Sequence, residues 1–135
     1  MQHSLPIFSA AQIKTIDDFT IKSEPIASID LMERAASKCS QWIMKHYDVE
    51  TVFKVCCGLG NNGGDGLAIA RQLLEHGYKV EVFIIHYSDK YSHDFLINKK
   101  RLQKAMRPSS GFDGHIEIVP ATSKEEQLEN VADNI

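Results

Sequence analysis

The stretch "VCCGLGNNGGDGLAIARQL", residues 55–73, is unusually dense in glycine. Five of the chain's eight glycines lie within residues 58–66, interleaved with Asn61, Asn62 and Asp65. Because an ordered glycine loses more backbone entropy on folding than any other residue, this density indicates that something approaches the backbone too closely for side chains. We interpret it as a ligand, to which the asparagines and the aspartate supply polar contacts.

Composition is that of an ordinary globular protein and limits the choice of partners. The chain has 135 residues, enough for one domain or part of one, with 43% hydrophobic and 24% charged residues. A net charge of −3 gives no reason to expect nucleic acid or an anionic membrane as the partner. The N-terminus lacks the features of a signal peptide, and no apolar run approaches the roughly 20 residues of a membrane helix. Three cysteines, two of them adjacent, make a poor disulfide framework, so we expect a cytoplasmic location.

Apolar spacing and end signals predict alternating helices and strands. A capping box of Ser9 and Gln12 opens a helix over residues 8–22, and a second helix runs from residue 29 to about 46. The later elements are predicted as strand 51–56, helix 67–76 closed by Gly77, strand 79–85, helix 92–106 stopped by Pro108, strand 115–119 and helix 123–131. This alternation predicts an α/β fold with a parallel sheet and helices on both of its faces.

Several residues of chemically active types have structural interpretations. Adjacent strand residues point to opposite faces, so Cys56 and Cys57 are interpreted as small core residues rather than a nucleophile or metal ligand. The six histidines show no metal-ligand spacing, and only His86 could face a site at the end of the second strand. Glu33 and Arg34 are expected to be solvated or at an interface. The second helix is predicted to bury one continuous stripe made of Met32, Ala35, Ala36, Cys39, Trp42 and Ile43.

The glycine-rich stretch is predicted to join the first strand to the next helix, at the sheet edge where open α/β folds bind ligands. A helix N-terminus there offers N–H groups and partial positive charge to a phosphate. Gly58, Gly60 and Gly63 also satisfy the spacing of a dinucleotide-binding loop. The acidic residue that usually follows the second strand is present only as Asp89, somewhat late. A hydride-transferring dehydrogenase is therefore an open alternative and not the preferred interpretation.

The polar residues of this stretch suggest more than a phosphate loop. A carboxylate repels a neighbouring phosphate, so Asp65 indicates a hydroxyl, a cation or a helix end as its partner. Asn61 and Asn62 offer amide oxygens to a hard cation and N–H groups to a polar ligand. Each of these residues could instead serve only a turn or a cap. Together with five glycines, they favour a ligand.

The sequence "CGLGNNGGDGLAIARQL", residues 57–73, resembles the signature of the YjeF N-terminal domain family, the NAD(P)H-hydrate epimerases. "SIDLMERAA", residues 28–36, is similar to the leading-helix motif of that family, and residues 8–21 are similar to its start. Leu59 departs from the family pattern, in which proline is common there, without changing the glycine spacing. The resemblance extends over essentially the whole chain and identifies residues 1–135 as the N-terminal portion of such a domain.

The resemblance implies a three-layer α/β/α Rossmann-like fold with a mainly parallel sheet and two leading helices. It also implies an isomerase that interconverts the R and S forms of hydrated NADH and NADPH, a nucleotide repair that consumes no oxidised cofactor. Asn62 is implied as a potassium ligand. Catalytic residues are expected beyond Ile135, so the chain is expected to be a truncated, inactive fragment. The implied substrate-binding residues are Asn61, Asn62, Gly63, Gly64 and Asp65.

The expected partners are a small-molecule nucleotide and further copies of the chain, without nucleic acid or membrane. A truncated sheet would leave a strand edge unpaired, which favours self-association as a homo-oligomer. The parent protein could carry a fused ADP-dependent dehydratase domain, as bacterial relatives often do. The alternative to an enzyme is a non-catalytic nucleotide-binding or protein-interaction module that uses the same pocket.

Overall fold

The computed structural model describes residues 5–106 and 114–120, which form four helices and three strands. The elements in chain order are α1 (Ala10–Ser23), α2 (Ser28–His46), β1 (Val52–Cys57), α3 (Asn61–Glu75), β2 (Lys79–His86), α4 (His93–Ala105) and β3 (Gly114–Pro120). The predicted order of elements is confirmed over this part of the chain. The helix predicted over residues 123–131 and the stop at Pro108 lie outside the described residues. None of the helices within the two described ranges is long and apolar enough to cross a membrane.

Local signals explain several of the helix ends. The predicted capping box opens α1: the Gln12 amide donates to Ser9 Oγ at 3.3 Å, and the Ser9 amide donates to Gln12 Oε1 at 2.8 Å. α4 begins with a simpler cap, in which Ser92 Oγ accepts from the Phe95 amide at 3.1 Å. After α3, Gly77 adopts a φ of +86°, a left-handed conformation that favours glycine.

The three strands form one parallel sheet in the order β1-β2-β3. Val55 pairs with Val82, which pairs in turn with Ile116, so one face of the sheet is continuous across the strands. Since side chains alternate along a strand, the other β1 and β2 residues on this face are Phe53, Cys57, Val80, Ile84 and His86. The parallel arrangement confirms the α/β fold class.

α3 organises the core, because it contacts both β1 and β2 of the sheet and both neighbouring helices, α2 and α4. Its residues Leu67, Leu73 and Leu74 are at most 1% exposed. Burying a leucine side chain contributes about 1.5–3 kcal/mol, so these three residues together contribute roughly 5–9 kcal/mol to the burial term. The buried core cluster consists of Cys57, Leu59, Leu67, Ala70, Leu73, Leu74, Tyr78, Val80, Val82, Ile84, Phe95 and Leu102.

The start of α3 differs from the prediction. The helix begins at Asn61 rather than at Leu67, so the glycine-rich stretch is largely helical instead of a loop. Gly60 is the N-cap, and the Gly64 amide donates to the Gly60 carbonyl at 3.0 Å. A glycine in a helix is about 1 kcal/mol less favourable than an alanine. Tertiary contacts must therefore stabilise this part of the helix.

The buried face of α2 also differs from the predicted stripe. Its buried residues are Met32, Ala36 and Ser40, which lie four positions apart on one face of the helix. The prediction was wrong for three residues that are exposed, namely Ala35, Cys39 and Trp42. The prediction was based on apolar residues alone and therefore left out Ser40, which is only 1% exposed.

Candidate functional site

The N-terminus of α3 follows β1 at the carboxyl edge of the parallel sheet, with only residues 58–60 between the two elements. The amides of Asn61, Asn62 and Gly63 belong to the first turn and therefore have no acceptor within the helix. The N-cap, Gly60, has no side chain to accept from them, and the first turn contains no acidic residue. The positive end of the helix dipole is thus uncompensated. This arrangement suits an anion such as a phosphate.

Asn61, Asn62 and Asp65 are neighbours on this helix start. Asp65 follows Asn62 by three positions and Asn61 by four, the spacings that bring side chains together on a helix. Both asparagines are exposed, whereas Asp65 is partly buried. Burial raises the pKa of Asp65 above its ordinary value, and the negative charge of Asp17 on α1 raises it further. A carboxyl group of reduced acidity therefore lies beside two exposed amide side chains.

Gly63 is required by the backbone of the protein itself. An added Cβ atom would lie 2.0 Å from the carbonyl oxygen of Gly58 and 2.7 Å from its carbonyl carbon. A contact with backbone cannot be relieved by rotating a side chain, so only glycine allows the start of α3 to lie against the end of β1. At Gly60, by contrast, an added Cβ would meet no atom within 4 Å.

Gly64 and Gly66 are closely packed against side chains. A Cβ at Gly64 would lie 3.0 Å from Met32 Sδ, and one at Gly66 would lie 2.8 Å from Cys57 Sγ. These contacts give the glycines a structural reason within the protein itself, and the close approach of a ligand stays a prediction. The glycines bring α3 close to α2 and β1, and the groups left for a ligand are the amides and polar side chains of the first turns.

We predict that Gly63→Ala lowers the free energy of unfolding by about 3 kcal/mol or more, because the added methyl group overlaps with backbone. The matched control is Gly60→Ala, which should change stability by less than about 1 kcal/mol because its surroundings are open. Urea denaturation followed by circular dichroism measures both values. Equal stabilities of the two variants would contradict the backbone contact.

Two hydrogen bonds of the Leu59 backbone fix the turn before α3. The Leu59 amide donates to Tyr87 Oη at 3.5 Å, and the Leu59 carbonyl accepts from the Ser92 amide at 3.0 Å. Tyr87 follows β2 and Ser92 precedes α4, so the segment after the second strand fixes the turn after the first. Neither residue belongs to a sequence motif, and neither was predicted as part of the site. The position of Tyr87 directly after a strand is the one signal that could have indicated it.

His86, which sequence analysis placed near the site, is the last residue of β2. Its Nε2 lies 3.8 Å from Asp89 Oδ1, and its ring centroid lies 5.9 Å from that of Tyr91. Tyr91 in turn stacks on the buried Phe95 at 5.8 Å. These contacts support a structural role for His86. Asp89, the ribose ligand of the dehydrogenase alternative, is fully exposed.

The two adjacent cysteines lie in different environments. Cys57 is buried, and burial, followed by the neighbouring Cys56, raises its pKa to about 12. Its thiol is therefore protonated at neutral pH and is not a nucleophile, which confirms its interpretation as a core residue. The same interpretation of Cys56 was wrong, since Cys56 is exposed. Within residues 5–106 and 114–120, no three His, Cys, Asp or Glu side chains form a metal-binding group.

A cavity of about 590 Å³ lies between α2, α3 and α4, and none of its lining residues lies within residues 58–66, where five glycines are concentrated. Glu33, expected to be solvated or at an interface, instead forms an ion pair with Arg71 and accepts from Gln72 Nε2 at 3.0 Å. Arg101 Nη1 lies 3.8 Å from the Glu33 carboxylate. The lining, with equal numbers of acidic and basic residues, consists of Asp30, Glu33, Arg71, Glu75, Arg101, Lys104 and Ala105. Ion pairs of Glu33 with Arg71 and Arg101 link α2 to α3 and α4.

Glu33 has a depressed pKa. Burial alone would raise the pKa of this carboxyl group, but hydrogen bonds from Arg71 and Gln72 and the charges of Arg71 and Arg101 outweigh burial. A carboxyl group whose folded pKa is depressed stabilises the fold above its unfolded pKa. That contribution is lost as the pH falls through the folded pKa.

We predict that Glu33→Gln lowers the free energy of unfolding by about 1 kcal/mol at neutral pH, because Arg71 loses one of its two charged partners and keeps only Glu75. The variant should also lose less stability than the unsubstituted protein when the pH falls below the ordinary glutamate pKa of 4.5. Urea denaturation at about pH 7 and about pH 3.5 measures both effects. The exposed Glu50→Gln is the control, and an identical pH dependence of Glu33→Gln and the unsubstituted protein would contradict the assignment.

The geometry defines an α/β domain in which the N-terminus of α3 lies at the carboxyl edge of a parallel sheet. Comparison with known families agrees with this class: residues 28–132 match the family described as YjeF-related protein N-terminus. The matched range includes α2, the glycine-rich start of α3 and all the described strands. The chain belongs to this family.

Similar proteins carry related names. The chain is 38% identical over 110 residues to the NAD(P)H-hydrate epimerase of Anaerococcus prevotii, which covers 77% of this chain and 49% of that protein. It is 35% identical over 101 residues to the bifunctional NAD(P)H-hydrate repair enzyme Nnr of Salinibacter ruber, which covers 73% of this chain and 19% of that protein. This chain therefore spans about half the length of the first relative and about a fifth of the second.

The crystal structure of the yeast protein ynu0 is similar in fold. The two structures superimpose with a TM-score of 0.60 and 22% sequence identity, over 92% of this chain and 51% of the yeast chain. At this level of identity the comparison shows a shared fold, and it agrees with the parallel α/β arrangement of the described residues.

Proposed function

We propose that this chain provides the nucleotide-binding part of an NAD(P)H-hydrate epimerase, the isomerase that interconverts the R and S forms of hydrated NADH and NADPH. The observation that carries the proposal is the start of α3, where amides without helical acceptors lie beside Asn61, Asn62 and Asp65. The family match over residues 28–132 and the relatives named for this activity support it.

Each part of the helix start has its own role in the proposed complex. The amides of Asn61, Asn62 and Gly63 donate to phosphate oxygens, whose negative charge the helix dipole stabilises. Gly64 keeps these amides in place by allowing α3 to lie against α2. The side chains of Asn61 and Asp65 hydrogen-bond the polar groups of the hydrated nucleotide. We assign no catalytic acid or base to the described residues.

Asn62 is further proposed as one ligand of a potassium ion. Its amide oxygen suits a hard cation, and Asp65, three positions later on the same helix face, would balance the positive charge. A single amide oxygen does not complete a coordination shell, so the remaining ligands have to come from other groups. When bound, the ion would offset negative charge of the nucleotide near Asp65.

We predict that the chain binds NADPH hydrate more tightly in potassium chloride than in lithium chloride, since lithium is smaller and more strongly hydrated. Asn62→Leu should abolish this difference, because it removes the amide oxygen. Asn61→Leu is the matched control, and it should keep the preference for potassium while weakening binding. Calorimetry in the two salts measures the affinities. An undiminished preference for potassium in Asn62→Leu would exclude the residue from the ion site.

The test of the proposed function measures binding and turnover on the same preparation. Calorimetry with NADPH hydrate reports binding, and chiral chromatography of the R and S hydrates over time reports epimerisation. We expect binding that Asp65→Ala weakens about tenfold, through loss of hydrogen bonds to a charged group, and that Gly60→Ala preserves. Binding with turnover identifies an epimerase. Binding without turnover is expected both of an epimerase part that carries no catalytic acid or base and of the non-catalytic nucleotide-binding module. Absence of binding would reject the proposed function.

The proposal extends to the assembly and the location. β1 and β3 are the edge strands of the described sheet, and Val52 and Ile118 on them are 49% and 54% exposed. We propose a homo-oligomer that covers such an edge.

The proposed location is the cytoplasm, with a nucleotide as the partner and without nucleic acid or membrane. Relatives named as bifunctional repair enzymes suggest fusion to another domain in related proteins, and we propose the dehydratase for that domain.

A further inference from the structure

Tyr87 is an exposed aromatic residue attached to the glycine-rich turn. Its Oη lies 3.5 Å from the Leu59 nitrogen, and Oη and Cε1 lie 3.4 Å and 3.7 Å from the position that a Cβ of Gly58 would take. The residue as a whole is nevertheless 60% exposed. One edge of the ring therefore contacts the turn, while much of the ring surface is open to solvent beside the start of α3.

The contact through Leu59 holds this ring in place. A buried amide N–H needs an acceptor. The Tyr87 hydroxyl is the acceptor for the Leu59 amide. The Leu59 carbonyl is fixed in turn by the Ser92 amide at 3.0 Å. Hydrogen bonds fix both the amide and the carbonyl of Leu59. The Tyr87 ring, which is hydrogen-bonded to this turn, is therefore in position before a ligand binds.

The location of Tyr87 matches one half of a dinucleotide. In dinucleotide-binding α/β folds the phosphates lie at the first helix N-terminus and the adenosine lies near the end of the second strand. Tyr87 is the first residue after β2. Exposed aromatic rings at such positions bind bases by stacking, an interaction of about 1–3 kcal/mol per base.

We infer that Tyr87 binds the adenine base of the nucleotide by stacking; this inference rests on the proposed function of the same site. The hydrated nicotinamide ring has a tetrahedral carbon where water has been added, so it does not present a flat aromatic face. Adenine is then the one planar aromatic ring of the substrate. Tyr87 is thereby a substrate-contacting residue that sets the preference for adenine nucleotides over simple sugar phosphates.

The alternative is that Tyr87 only completes the hydrogen bonding of Leu59. The two roles use different parts of the side chain, since stacking needs the ring and the structural role needs the hydroxyl. Tyr87→Phe keeps the ring and removes the hydroxyl, whereas Tyr87→Leu removes both. The matched control is Tyr47→Leu, because Tyr47 is a partly exposed tyrosine just before β1, at the opposite edge of the sheet.

The experiment compares adenosine 5′-monophosphate with ribose 5-phosphate by calorimetry on the full chain and its variants, with thermal denaturation to verify folding. We expect Tyr87→Leu to weaken adenosine monophosphate binding about tenfold or more and to leave ribose 5-phosphate binding within about twofold. Tyr87→Phe should retain most of the affinity, and Tyr47→Leu should match the unsubstituted chain.

Two results would overturn the inference while the proposed function stands. One is a Tyr87→Phe variant that loses as much affinity for adenosine monophosphate as Tyr87→Leu, since the hydroxyl alone would then explain the effect. The other is an unsubstituted chain that binds NADPH hydrate but shows no preference for adenosine monophosphate over ribose 5-phosphate. A chain that binds neither adenosine monophosphate nor NADPH hydrate would reject the inference and the proposed function together.

Discussion

The contact between Gly63 and the backbone of Gly58 is the constraint on which the rest of this structure depends. An added Cβ at Gly63 would lie 2.0 Å from the Gly58 carbonyl oxygen, so the helix start and the strand end meet without any side chain between them. This contact fixes where α3 begins and where the amides of its first turn point. It also sets the path of α3 over the sheet, where Leu67 and Leu74 are fully buried. The orientation of the first-turn amides and the packing of the core thus depend on the same contact.

Much of the fold could be predicted because its signals are local. The capping box at Ser9 and the left-handed Gly77 act within a few residues, and the alternation of apolar runs separates strands from helices. The grouping of Asn61, Asn62 and Asp65 was also available from the sequence, since they are close in the chain. The start of α3 was not predictable in this way. Glycines disfavour a helix locally, and the contacts that override this preference come from β1 and α2.

Contacts between distant segments account for what the sequence did not reveal. Leu59 and Tyr87 lie 28 positions apart, and Glu33 and Arg71 lie 38 positions apart. Neither pair can be inferred from the pattern of one segment, because the contact depends on how two elements are placed. The buried face of α2 was mistaken for a related reason. Burial of Ser40 follows from its position on the helix face, and its polarity gave the opposite indication.

An NMR titration of the amide-labelled chain with NADPH hydrate tests the position of the ligand most directly. We place the ligand at the first turn of α3 and not in the cavity of about 590 Å³ between α2, α3 and α4. We therefore predict the largest chemical-shift changes at the amides of Asn61, Asn62 and Gly63, with little change at Glu33 or Arg71. The largest changes at Glu33 and Arg71, with the first turn of α3 unaffected, would contradict a binding site at the start of α3.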